Sequence, residues 1–234
     1  MKFIVEKKVF ETLGDVCFAM VAVSNIDNSK KIPEIDNLLD ASVKECETYF
    51  EGKKVKEGQE VSPYREAFKK MNINPNKFMS SIEALLTRIS KKKGMPSINP
   101  IVDLGNSVSL KYRLPIGAHD LDSNQGDFYV RYARPDDYFI PFGAVEKEDL
   151  EEDEIVYASG NTVRTRRWIW RQSQLGKITE DTSRVMFPID GFLDNKDKMI
   201  LAQEELASLL KKYFDCQVQL GWVDSSNPEF EFEV

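Results

Sequence analysis

With 234 residues, 41% of them hydrophobic and 30% charged, the chain has the make-up of a folded globular protein and needs no covalent staple to bury a core. A formal net charge of −7 argues against a protein that coats nucleic acid non-specifically, because that affinity comes from neutralised phosphates; a few local phosphate contacts remain open. Cys17, Cys46 and Cys216 are odd in number and far apart, which speaks against a disulfide framework or a zinc cluster and for reduced thiols in the cytoplasm.

The chain opens with a mixed apolar and charged segment, residues 3–10, that reads as an edge strand. Residues 16–23 form an apolar run too short to span a bilayer, so no membrane is expected; the run suits a strand buried on both faces. After Pro33, Ile35, Leu38, Leu39, Val43, Cys46 and Phe50 fall on one helical face. A polar loop over 52–61 leads to Ser62-Pro63, a cap followed by a helix-starting proline, with Tyr64, Phe68 and Met71 in helical register. Ser80 and Glu83 have capping-box spacing ahead of Ile82, Leu85, Leu86 and Ile89, and that helix should end near Lys91-Lys92-Lys93-Gly94. Asn99-Pro100 repeats the cap-then-proline signal for a helix over 101–110.

Past Leu114 the pattern turns to strands: 128–132, 155–157, 163–171 and 185–189, with an acidic loop over 146–154. A long amphipathic helix over about 196–214, a last strand from Cys216 to Trp222 and an acidic tail over 228–234 complete the chain. Strands, clustered helices, strands again and a late helix make an α+β order, so residues 1–234 are expected to form a single domain of mainly antiparallel sheets with clustered helices.

Residues 164–171, Arg-Thr-Arg-Arg-Trp-Ile-Trp-Arg, have the most unusual composition in the chain. As a strand, this segment sends Arg164, Arg166, Trp168 and Trp170 to one side and Arg167, Ile169 and Arg171 to the other. Arginine forks grip phosphate or carboxylate and tryptophan offers a stacking face for a base, which makes Arg164, Arg166 and Trp168 candidate RNA contacts. The competing reading packs the tryptophans in the core and pairs the arginines with acids and aromatic faces. Lys92, in the basic run at the end of the helix predicted from Ser80, is a further RNA candidate, against its ordinary role of complementing a helix dipole. His119-Asp120 with Ser107 or Ser109 does not make a triad, since adjacent side chains diverge and no G-x-S-x-G elbow exists. The acids at 120–122 and 151–154 lack EF-hand spacing, and no glycine-rich phosphate cradle is present. No metal and no cofactor is expected.

One stretch is more specific. Residues 96–106 read Pro-Ser-Ile-Asn-Pro-Ile-Val-Asp-Leu-Gly-Asn, followed by Leu114-Pro115-Ile116-Gly117-Ala118-His119-Asp120-Leu121-Asp122 and by Gly126-Asp127-Phe128-Tyr129-Val130-Arg131-Tyr132-Ala133. In order and spacing this resembles the editing and tRNA-binding domain of the phenylalanyl-tRNA synthetase beta subunit, with its V-V-D-x-x-N element, proline turn and V-R-x-A strand. The resemblance covers about residues 62–189, with Arg167–Gln172 looking like a mark of free-standing relatives. It implies the fold of that domain, tRNA or aminoacyl-tRNA as partner, no DNA, and hydrolysis of a wrongly attached amino acid. An ester carbonyl is already reactive, so positioning a water and stabilising the oxyanion can suffice.

Carried over residue by residue, the resemblance assigns the substrate to Asn106, to the backbone around Gly105 and Gly117, and to Arg167 and Arg171, with the catalytic group unassigned. The chain departs from the family pattern where Gly105 replaces a small hydroxylic residue, Pro96 an arginine and Gly117 a histidine, and near Gln172–Gln174 no acid matches the glutamate that reads the tyrosine hydroxyl. The expected function is a free-standing tRNA-binding protein that acts as a trans-editing deacylase in the cytoplasm. The alternatives are a non-catalytic RNA-binding module and a sensor of a free amino acid or similar small molecule.

Overall fold

The computed structural model describes residues 1–124 and 126–233. The first half contains β1 (Lys2–Val5), α1 (Lys7–Leu13), β2 (Val16–Ser24), α2 (Pro33–Tyr49), α3 (Ser62–Lys70), α4 (Ser81–Ser90) and α5 (Pro100–Tyr112). The second contains β3 (His119–Asp120), β4 (Phe128–Tyr132), β5 (Ile155–Ser159), β6 (Thr162–Arg166), β7 (Arg171–Gln172), β8 (Val185–Phe192), α6 (Lys196–Phe214), β9 (Gln217–Val223) and β10 (Glu229–Glu231).

Two sheets share the interior. One has the order β3-β8-β2-β9 and is antiparallel throughout; the other runs β10-β1-β4-β5-β6-β7, antiparallel except where β1 lies parallel to β4. β2 is buried along its whole length because both its faces meet a core. Cys17, Ala19, Val21 and Val23 pack toward α5 and α6, whereas Phe18, Met20 and Ala22 face the side of β1, β4, β5 and helices α3 and α4. Period-2 alternation puts successive side chains into different cores, which is why the run carries no polar residue before Ser24. The α+β architecture is the one read from the element order.

Two of the predicted helix caps form as the sequence signals indicate. Ser80 accepts from the Glu83 amide, and the Asn99 side chain accepts from the Val102 amide at 3.0 Å, starting α5. Ser62 is the first residue of α3 and makes no cap bond; Val61 holds that position.

Two expectations are corrected. Residues 3–10 are not one edge strand: β1 ends at Val5, lies between β10 and β4, and gives way to α1, whose Val9, Phe10 and Leu13 are buried at helical spacing. Within the acidic tail, β10 pairs antiparallel with β1; of that tail only Val234 lies outside the described residues. Residues 163–171 are not a continuous strand. β6 stops at Arg166, and Arg167 and Trp168 take φ of +48° and +59°, so the chain reverses before β7 pairs back on β6. Two consecutive left-handed residues without glycine are costly. They are held by the bond from the Trp168 amide to the Ile155 carbonyl at 2.5 Å and by the Ile169 carbonyl, which accepts from the Ser81 amide at 2.8 Å.

Candidate functional site

A cavity of about 530 Å³ opens between α5, the loop 115–118, β7 and β8. That volume lies in the range of sites that enclose a small organic ligand. Ile98 and Phe142, each more than half exposed, line its solvent side, and Tyr157 and Asp190, both about 1% exposed, line its inner side.

Each wall has a local cause. α5 approaches β8 closely because residue 105 is glycine: a Cβ there would stand 3.3 Å from Cε1 of Phe187. Asn106, the next residue on α5, is half-buried, lines the cavity and has no side-chain partner among the described residues. The loop 115–118 is laid along β8 by three backbone links: Ile116 bridges Ile189, the Gly117 amide donates to the Pro188 carbonyl at 2.9 Å, and the Asp190 amide donates to the Pro115 carbonyl at 3.1 Å. Gly117 therefore contributes space and not a free donor. A Cβ at this position would stand 3.0 Å from Nε2 of His119 and 3.2 Å from Cγ of Pro188. β7 is tied to the same loop by Gln172, whose side-chain amide donates to the Ala118 carbonyl at 2.9 Å. Arg171 and Trp170, beside Gln172 in the chain, also line the cavity.

The inner wall carries the unusual electrostatics. His119 is buried, its ring stacked on Tyr157 with centroids 5.4 Å apart and tilted against Phe128 at 5.0 Å. Burial, joined by the charge of Arg164, pushes its imidazole down to about 3, so the ring is neutral and Nδ1 has no partner. Asp190 accepts two hydrogen bonds on Oδ1, from the Tyr157 hydroxyl and the Trp168 indole, each at 2.6 Å. Burial pushes its carboxyl up to about 7 even though both hydrogen bonds favour the ionised form.

Of the residues singled out in the sequence, Gly105, Asn106, Gly117 and Arg171 meet at this one cavity. Arg167 does not line it. Its guanidinium is 5% exposed, pairs with Glu154 at 3.1 Å and Glu151 at 3.2 Å, and lies over the Phe78 ring at 3.9 Å. Arg164, Arg166 and Trp168 are also interior. Arg164 donates to the Ser123 carbonyl at 2.9 Å and to Asn124 at 3.0 Å, Arg166 is clamped between Glu154 and Glu148, and Trp168 has no exposed surface. None of the three presents the free face that RNA contact requires: Trp168 packs in the core, Arg166 pairs with acids and lies over the Phe139 ring, and Arg164 is held by neutral partners. The acidic segment 151–154 is corrected with them, since Glu154 is a buried partner of two arginines and not a loop acid. Lys92 is exposed, with φ +55°, just past α4, and does not line the cavity.

Ser107 and Ser109 donate to the carbonyls of Leu104 and Leu114 at 2.8 and 2.6 Å, which leaves neither as a nucleophile toward the cavity. Asp190 and Tyr157 were not picked out by motif. The one local signal for Asp190 is a lone acid directly after the apolar run Met186-Phe187-Pro188-Ile189, since an acid is rarely buried there unless it is bonded. Among the described residues no group of three or more His, Cys, Asp or Glu is placed to hold a metal ion, and no helix is long and apolar enough to cross a membrane.

Comparison with known proteins agrees with the sequence resemblance. The chain is similar to the phenylalanine–tRNA ligase beta subunit of Prochlorococcus marinus (26% identity, 86% of this chain, 27% of the ligase subunit). It is also similar to that of Idiomarina loihiensis (29% identity over 100 residues, 43% of this chain, 12% of the ligase subunit). It thus spans about a quarter or less of the length of these curated relatives. Among solved structures, it is similar to an N-terminal fragment of the phenylalanyl-tRNA synthetase beta subunit from Pyrococcus horikoshii, at 12% identity and a TM-score of 0.47, over 92% of this chain and 49% of the fragment. The model of the B3/4 domain matches residues 63–216, more than half of the chain and every wall of the cavity, and the chain therefore belongs to the B3/4 domain family, as a domain like that of the phenylalanyl-tRNA synthetase beta subunit.

Proposed function

We propose that this cavity receives the aminoacyl end of a tRNA and that the protein is a trans-editing deacylase, cleaving the ester of a wrongly attached amino acid. The observation that carries the reading is the convergence of Gly105, Asn106, Gly117 and Arg171 on one cavity, although they come from a helix, a loop and a strand. The family supports a tRNA-linked role.

The chemistry asked of the site is modest. Hydrolysis of an activated ester needs a bound acyl group, an ordered water and a donor for the developing oxyanion. Asn106 supplies a free side-chain amide beside the cavity, whereas the Gly117 amide is already committed to Pro188. Apolar walls from Val102, Ile116, Ile169 and Ile178 accommodate an amino-acid side chain. Near the solvent side, Trp170 and Arg171 are half-buried and Lys177 adds a second cation, which suits a terminal nucleotide with its phosphate.

The test is deacylation of a panel of correctly charged and mischarged tRNAs by the 234-residue chain, with Asn106→Ala as the control. Release of amino acid from at least one mischarged tRNA, reduced in the variant, is the expected result. No release, together with an affinity for tRNA that does not fall with salt, would end the reading. Tight binding of a free amino acid under those conditions would instead assign a sensor.

A further inference from the structure

Among the described residues Asp190 is the one buried acid that lines the cavity, and its environment differs from that of the buried acids that pair with arginines. Glu154 faces Arg166 and Arg167, Asp137 faces Arg131 at 2.6 Å, and Glu83 faces Arg65 at 2.5 Å. Asp190 is bonded to neutral donors only. Both of them, the Tyr157 hydroxyl and the Trp168 indole, reach Oδ1, and Oδ2 has no partner among the described residues. Its backbone is equally fixed: the amide donates to Pro115 at 3.1 Å and the carbonyl accepts from the Tyr64 hydroxyl at 2.9 Å.

Neutral donors orient a carboxylate without cancelling its charge. A buried carboxylate in that position gains most from a cation. Among the described residues no cation bonds to it: His119, also in the wall, is neutral, Arg164 donates to Ser123 and Asn124, Arg166 and Arg167 pair with Glu154, and Arg171 and Lys177 line the cavity without a bond to Asp190. A cation for Oδ2 would then come with the ligand. A compact ammonium suits a single unpaired oxygen among apolar walls, whereas a guanidinium would ask for a second acceptor beside it.

We propose that Oδ2 of Asp190 is the receptor for the α-ammonium group of the acyl ligand, so that the cavity takes acyl groups with a free amine and rejects their N-acylated counterparts. The proposal rests on the reading of the cavity as an acyl site and adds the group that selects the acyl class. With its carboxyl raised to about 7 by burial, Asp190 gives up little to become fully ionised when an ammonium arrives.

Calorimetric titration with a panel of L-amino acid amides and their N-acetyl derivatives tests it, on the wild-type chain and on Asp190→Asn. Asparagine keeps an Oδ1 acceptor for Tyr157 and Trp168 and puts an amide NH2 where the unpaired oxygen was. For the amide that binds wild type best, the N-acetyl derivative should bind roughly 10- to 100-fold more weakly, as expected for loss of a charge-assisted hydrogen bond. Asp190→Asn should lose a similar factor for the free amine and no longer discriminate. Equal binding of both derivatives to wild type overturns the proposal, as does an amine preference that survives in Asp190→Asn, or a failure of every free-amine probe to bind. The comparison on wild type stands even if the variant does not fold. Deacylation of a mischarged tRNA that proceeds unchanged in Asp190→Asn sinks the Asp190 assignment and leaves the deacylase reading. Amine discrimination without deacylation of any tRNA does the reverse.

Discussion

Trp168 donates its indole N–H to the carboxylate of Asp190 over 2.6 Å, and neither residue has appreciable contact with solvent. The bond joins a left-handed turn after β6 to the middle of β8, and Tyr157 on β5 shares the same oxygen. Three elements are thereby locked around one acid at the inner end of the cavity. The strained backbone at Arg167 and Trp168 has a structural return: it turns the indole inward, where a continuous strand would have left it on a sheet face.

Replacing Trp168 by Phe keeps most of the packing and removes the donor. The carboxylate then loses one of its two partners in a buried site, which should cost about 1–3 kcal/mol. Urea unfolding of the variant measures it; stability equal to wild type would mean the bond contributes nothing net.

Asp190 also sets a pH dependence. Its folded value of about 7 lies above its ordinary 3.8, so the folded protein holds a proton that the unfolded chain releases. The stabilising contribution is complete below about pH 4 and is lost as pH rises to about 7. The stability of wild type minus that of Asp190→Asn should accordingly fall by a few kcal/mol, on the order of the linkage energy for such a shift, across that window and level off above it. A flat difference from pH 4.5 to 8 in urea titrations would contradict the assignment.

His119 works in the opposite sense. Its folded value of about 3 lies below the ordinary 6.5, so its contribution is present above pH 6.5 and lost as pH falls toward 3. His119→Phe keeps a ring between Tyr157 and Phe128 and removes the titrating group. Acid unfolding followed by circular dichroism should show the variant less sensitive between about pH 6 and 4 than wild type, once each is normalised to its own stability at pH 7.

Arg166 and Arg171 sit in the same short stretch and should behave differently. Arg166→Ala strands the buried Glu154 beside Arg167 alone and should destabilise by about 3–5 kcal/mol without changing the salt dependence of tRNA affinity. Arg171 is 41% exposed and only loosely paired with Glu148 at 3.4 Å, so Arg171→Ala should leave the unfolding midpoint nearly unchanged and weaken tRNA binding. The two readouts, thermal unfolding and filter binding at several salt concentrations, must separate; if both variants lose tRNA affinity to the same degree at equal stability, the cavity is not where RNA docks.

Gly117→Ala introduces a methyl that must push on His119 and Pro188. The cost should be about 1–3 kcal/mol, typical of overpacking, with reduced uptake of any cavity ligand. Deacylation or ligand binding in a variant of unchanged stability would show that the wall yields without penalty.

Much of this molecule is readable from local pattern. The caps at Ser80 and Asn99, the stripe of α6 and the apolar run of β2 are all legible in local pattern, the caps and the stripe because they are decided by contacts within a few residues. The ordered motifs from Pro96 to Ala133 likewise point to the family before any coordinate is known. What local pattern cannot supply is the destination of long side chains. Alternation placed Arg164, Arg166 and Trp168 on one face of a strand, whereas two left-handed residues at 167 and 168 reverse the chain, and acids at 148 and 154 draw the guanidiniums inward. Asp190 becomes part of the cavity only because Tyr157 and Trp168, 33 and 22 residues away, converge on one oxygen. Helices and caps answer to neighbours in sequence; burial of charge answers to partners brought together only when the sheets have closed.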